Sequence, residues 1–191
     1  MNEYRRAPRG EAAARILDAA LAELVARGAA SLAMHEVAER AGVSKGLIHY
    51  HFHDKNALLA DIAPELGERI AARARGALAG SATASAIADL EQWLQYEVVL
   101  GEWRALLALA EWPADEVRRA ARTALDLRRT EMRVVLERLL SLLEIRTKIS
   151  LAAVTDLAIA VVNGLAAERE SARDPAPALD ALVMAFYRLG D

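Results

Sequence analysis

Between Ser44 and Lys55 the chain reads SKGLIHYHFHDK, and this stretch concentrates groups able to meet an anionic, edge-patterned partner. Lys45, His49, Tyr50 and His53 are cationic, hydrogen-bonding or flat, and Gly46 leaves room for close approach. Cations and hydroxyls hold phosphates, whereas side chains reaching base edges read sequence. Ile48 and Phe52 stand four apart, the spacing that anchors one helical face inward. His35 adds a fourth imidazole upstream of His49, His51 and His53. His49 and His53, also four apart, could meet one metal ion on a helix. Yet no H-E-x-x-H glutamate accompanies them, no third ligand stands near, and cysteine is absent. The expected metal set is therefore none, and a groove-facing polar surface explains the run better.

Such a surface needs a frame. Upstream, Met34, Val37, Ala38 and Ala41 fall at i, i+3, i+4 and i+7, which predicts one buried helical face. Gly42 follows where a helix end favours a left-handed residue. Val43 can plug the turn, and the Ser44 hydroxyl can accept from the free N–H groups of the next helix. Two short helices with this turn predict a helix-turn-helix, its second helix lying in the major groove.

The motif AERAGVSKGLIHYHFHDKNALL resembles the N-terminal DNA-binding domain of the TetR family of bacterial transcriptional regulators. The core A-G-V-S-K-G, the aromatic and histidine run ending at Phe52, and D-K-x-x-L-L occur in order. The resemblance covers about the first third of the chain by motif, and the rest only by helical layout and length. Two departures stand out. Ala33 replaces the usual Thr or Ser cap, and Leu47 and His49 replace a small residue and a Tyr, so the DNA sequence read is expected to differ. The expected DNA contacts are Lys45, Gly46, Leu47, His49 and Tyr50 at bases or nearby backbone, Ser44, His51 and Lys55 at phosphates, and His35 at the groove edge.

Composition agrees with an all-helical protein: 54% of the residues are apolar, Ala and Leu dominate, and Gly, Pro and aromatics are sparse. The net charge of −3 divides unevenly. Residues 1–60 hold one more basic than acidic group and all four histidines, so the body is the acidic part. The N-terminal stretch is basic, with no apolar run typical of a secretory signal. Leu157 to Ala167, the longest uncharged apolar run, is too short for a bilayer. A soluble cytoplasmic protein without a membrane partner is expected.

The predicted fold class is all-α, with an N-terminal three-helix helix-turn-helix DNA-binding domain and a C-terminal helical ligand-binding and dimerisation domain. Residues 1–9 form a basic arm and 10–55 the DNA-binding domain, with the motif at about 33–52. Residues 56–78 form a connecting helix, interrupted by Pro64 and expected to kink there. Residues 79–191 form the C-terminal domain, with helices at about 84–100, 102–111, 114–143, 148–170 and 176–189. No catalytic fingerprint is present, so an enzyme is not expected, and no cofactor is called for. Trp93, Tyr96, Trp103 and Trp112 fall in segments that, by the resemblance, surround an effector pocket; Glu97, Glu102 or Glu111 could add a carboxylate. The last two helices carry broad apolar faces, and Val154, Ala158, Val162, Leu165, Leu182 and Phe186 are the expected dimer contacts. The partners are thus a double-stranded DNA operator, an unidentified small-molecule effector and a second copy of the chain. The resemblance implies a repressor that binds a palindromic operator as a homodimer and is released by the effector. A helical small-molecule carrier without specific DNA readout is the alternative.

Overall fold

The computed structural model describes residues 10–167 and 176–188; the basic arm lies outside them. All regular structure among the described residues is helical: α1 Glu11–Ser31, α2 Met34–Arg40, α3 Lys45–His51, α4 Lys55–Gly76, α5 Ala86–Leu100, α6 Glu102–Ala110, α7 Asp115–Leu142, α8 Leu151–Ala167 and α9 Ala176–Arg188. The all-α class, with a helix-turn-helix at the N-terminus and a helical body behind it, is what the chain adopts.

Local chemistry explains the joints. Gly28 sits at φ 80° and interrupts α1, so its last turn is set off from the long N-terminal part. Ala33 offers no side-chain cap to α2, as its residue type requires. Ser44 Oγ accepts from the Leu47 N–H at 3.2 Å and starts α3. Asp54 Oδ1 does the same for Ala57 at 2.8 Å and starts α4.

One continuous core runs from the reading unit into the body. Ile16, Ala20 and Leu24 of α1 meet Val37, Ala38, Ile48 and Phe52, and then the inner face of α4, Leu58, Leu59, Ile62, Leu66 and Ile70. The α4 helix is therefore more than a connector. It is the central helix of the body and packs along α7. At Gly67 a Cβ would stand only 2.7 Å from Ala124 Cβ, so glycine is what permits the closest approach of these helices. Helix α4 continues on both sides of Pro64, which lies on its exposed face. The missing N–H there removes one rung without ending the helix.

Candidate nucleic-acid interface

Helix α3 shows a division between two faces. Ile48 and Phe52 are 1% and 4% exposed and fix the helix to α1 and α4. Lys45, Gly46, His49 and Tyr50 point to solvent, with Tyr50 74% exposed despite its size; Leu47 and His51 are half-buried. A phenol left this exposed on a rigid short helix offers a hydrogen-bonding edge and a flat face. Its ring meets the His51 ring edge-on at 5.2 Å. His49 Nδ1 lies 3.3 Å from the His53 carbonyl oxygen, which draws that imidazole toward the end of α3. His53 Nε2 is 3.6 Å from Asp54. His35 is exposed in the first turn of α2.

The frame beneath is braced by ion pairs that sequence reading did not single out. Glu23, almost buried on α1, accepts from Arg40 of α2 at 2.5 Å and from Arg27 at 3.4 Å. Arg27 also reaches Glu36 of α2 at 2.8 Å. The i, i+4 spacing of Glu23 and Arg27 was a visible signal, whereas the pairing with α2 depends on how the helices cross.

Two of the expected phosphate groups also serve the frame. Ser44 Oγ accepts the α3 cap bond from Leu47, and its own O–H remains available to donate. Lys55 Nζ donates to the Ala30 carbonyl at 3.0 Å, at the C-terminal end of α1, and lies 5.4 Å from the centre of the Trp112 ring. Partial burial lowers its pKa. Without DNA, its ammonium closes the joint between reading unit and body. A carbonyl at a helix C-terminus is a favourable seat for a cation, which explains why a lysine is tolerated in the first turn of α4.

The four aromatic residues expected around one pocket separate. Trp93 and Trp103 are buried and meet edge-on at 6.2 Å. Trp112 instead closes the joint, its Nε1 donating to Asn56 Oδ1 at 3.0 Å. Tyr96 is exposed and, with Trp93, Ser81, Ser85, Asp89 and Gln92, edges an open groove of about 410 Å³. Glu111 faces solvent. Glu97 and Glu102 do turn inward, but both are taken by Arg73 of α4. Arg73 Nε and Nη2 grip Glu97, the latter at 2.9 Å, and Nη2 reaches Glu102 at 2.5 Å. Burial raises the Glu97 pKa, with Arg73 opposing. Burial would lower that of Arg73, but its two carboxylates raise it instead.

Of the expected dimer contacts, Val154, Ala158, Val162 and Leu182 are buried in the chain's own core, and Leu165 is half-buried. The side chain of Phe186 lies outside the described ones. These four side chains pack within the chain itself, so little of their surface is left for a second copy. The faces that those helices leave open carry Leu157 and Met184, 48% and 55% exposed. No described helix is long and apolar enough to cross a membrane.

Comparison with known proteins places this geometry. Residues 16–62 match the family described as bacterial regulatory proteins, tetR family, a segment that spans α2, α3 and the helices that brace them. No curated protein matches the sequence. Among solved structures, a Rhodococcus sp. protein assigned to the TetR-family transcriptional regulators is similar at 23% identity, over 93% of this chain and 97% of its own, with a TM-score of 0.71. A transcriptional regulator from Rhodococcus sp. Rha1 is similar at 22% identity, over 94% and 96%, with a TM-score of 0.71. FadR from Bacillus subtilis, solved in complex with stearoyl-CoA, is similar at 16% identity, over 91% and 96%, with a TM-score of 0.67. Residues 16–62 thus carry the TetR-family signature, and the chain shares the fold of these solved structures.

Proposed function

We propose that this chain is a homodimeric repressor that binds a palindromic operator and is released by a small molecule. The observation that carries the reading is the two-faced α3. Its apolar side is locked into the core, while Lys45, Gly46, His49 and Tyr50 are presented outward on a braced frame. Lys45 would hold a phosphate, and His49 and Tyr50 would meet base edges or adjacent backbone. One seven-residue helix supplies little affinity. A two-fold pair of such helices reads two half-sites in successive major grooves, which is the reason for a dimer. The open faces of α8 and α9, with Leu157 and Met184, are the surface we assign to the second copy.

Release follows from the position of α4. Its N-terminus is tied to the reading unit through Lys55 and Ala30, while Arg73 is gripped near its other end by Glu97 of α5 and Glu102 of α6. A molecule that shifts α5 or α6 therefore pulls on the helix that carries the reading unit. It weakens DNA binding only as far as it binds the displaced form more tightly, and DNA must weaken the ligand by the same factor. The FadR complex with stearoyl-CoA is an instance of a body of this fold holding a small molecule. Repression results if the operator overlaps a promoter and the bound dimer excludes polymerase.

Selection of duplexes from a random pool tests the reading. The expected outcome is enrichment of a sequence with two-fold symmetry. Recovery of a pool with no shared sequence would sink it and leave a helical carrier.

A further inference from the structure

The body buries an arginine that makes no ion pair among the described residues. Arg128 of α7 is 3% exposed. Its guanidinium carbon lies 4.7 Å from the centre of the Trp103 ring, and Nη2 donates to Asn163 Oδ1 of α8 at 2.6 Å. Nε and Nη1 are buried without an acceptor among the described residues, and so is Nε1 of the indole that the guanidinium covers. At neutral pH the guanidinium keeps its proton despite burial, so its charge must be compensated where it stands. The two nearby buried carboxylates, Glu97 and Glu102, are engaged by Arg73. Burial holds the Arg128 pKa down at about 10, with only the charge of Glu97 opposing the shift. Stacking on an indole stabilises the cation, but it satisfies no N–H.

The unmet groups are all donors: Nε and Nη1 of Arg128 on α7, the Trp103 indole N–H on α6 and that of Trp93 on α5, whose ring meets Trp103 edge-on. What they lack is an acceptor with one negative charge. A carboxylate has that character, accepting through both oxygens and donating nothing when ionised. A phosphate dianion would bring a second charge that no further cation here meets. Met132, one turn along α7, and Val162, which precedes Asn163 on α8, are both buried apolar residues. Polar groups that fix a head group, with apolar walls for the remainder, are the usual make-up of a small-molecule site.

We propose that Arg128, the Trp103 indole N–H and Asn163 form the head-group site for an organic monocarboxylate with an apolar body. The inference rests on the reading of the chain as an effector-controlled regulator and names the chemical class of the effector. Its position suits that role. Trp103 is the residue next to Glu102 on α6, so an anion drawn onto Arg128 acts one residue away from the carboxylate that holds Arg73 of α4.

The test is calorimetric titration of the full chain, without DNA. The probes are aliphatic carboxylates from butyrate to decanoate, benzoate and indole-3-acetate, each paired with its neutral primary amide. At least one acid is expected to bind about tenfold or more tighter than its amide, the factor that a single charge-assisted contact supplies. In Arg128→Met that preference should fall to about one, and Trp103→Phe, which keeps an aromatic face but removes the N–H, should weaken the acid more than the amide. The comparison of acid with amide on the unaltered chain stands even if a variant does not fold. Equal binding of acids and amides, or no binding by any acid, overturns the proposal and leaves these donors to solvent. A carboxylate that binds through Arg128 yet leaves affinity for the selected duplex unchanged keeps the site and overturns effector release instead.

Discussion

Lys55 Nζ donates to the carbonyl oxygen of Ala30 at 3.0 Å, joining residues 25 apart and fastening the start of α4 to the end of α1. A lysine in a DNA-binding motif that is spent on its own backbone has a different signature from one that neutralises a phosphate. Lys55→Ala should cost about 1 kcal/mol of stability, measured by urea unfolding, through loss of a bond between a charged donor and a helix terminus. The dependence of DNA affinity on salt should stay unchanged. Lys45→Ala should leave stability within about 0.5 kcal/mol and reduce the salt slope by roughly one ion. A reduced slope in Lys55→Ala would return that residue to the phosphate contacts.

Gly67 and Ala124 set the spacing of α4 and α7. Gly67→Ala places a methyl 2.7 Å from Ala124 Cβ and 3.1 Å from its Cα, contacts that helix backbones must yield to relieve. The expected cost is about 1–3 kcal/mol, partly recovered in the double variant with Ala124→Gly. Thermal melts of the two proteins check it, and an unchanged melt in Gly67→Ala would show that α4 is held less tightly than its packing indicates.

Arg128 gives a prediction with a definite pH sign. Its folded pKa of about 10 lies below the ordinary arginine value, so the folded chain holds this proton less tightly than the unfolded one. The stability linked to this group is fully present only above the ordinary value and is lost as pH falls through about 10. At pH 7 the uncompensated cation therefore costs stability, and Arg128→Met should gain on the order of 1–4 kcal/mol. The gain should shrink as the unfolding is repeated from pH 9 to pH 11. A variant less stable than the parent at pH 7 would mean that the stack on Trp103 and the bond to Asn163 outweigh the burial of charge.

Leu157 and Leu182 separate a dimer face from a core face. The double variant Leu157→Glu with Met184→Glu changes two exposed side chains, so it should fold normally and sediment as a monomer. Leu182 is 5% exposed within one chain, and Leu182→Glu should lose about 3 kcal/mol or more from an unpaired buried charge. Sedimentation velocity distinguishes the two. A folded dimer in the double variant would move the interface off α8 and α9.

What the residues revealed depended on range along the chain. The helix-turn-helix was legible because its signals are local: the i, i+3, i+4 pattern from Met34 to Ala41, the glycine at 42 and the Ser44 cap are all read within a few positions. Helix limits in the body followed from the same periodicity. The pairing of Arg73 with Glu97 and Glu102 spans 24 and 29 residues and depends on the rotation of three helices, which no local pattern encodes. The aromatic group depends on the same long-range packing: the resemblance put Trp112 with Trp103 around one pocket, while the fold turns it to Asn56. Arg128 had a visible signal that passed unnoticed. It stands four residues before Met132 and seven after Ala121 on the apolar stripe of α7, and a charged residue on a buried stripe calls for a partner.

The most direct measurement for the central claim, a dimer reading a two-fold site through α3, is titration of the selected duplex against one with a single half-site scrambled, at fixed salt. Two copies of the chain should bind each intact duplex, scrambling should lower affinity by a factor of about a thousand or more, and Tyr50→Ala should weaken the intact site by about tenfold. Equal affinity for the intact and scrambled duplexes, or a Tyr50→Ala chain that binds both as the parent does, would contradict it.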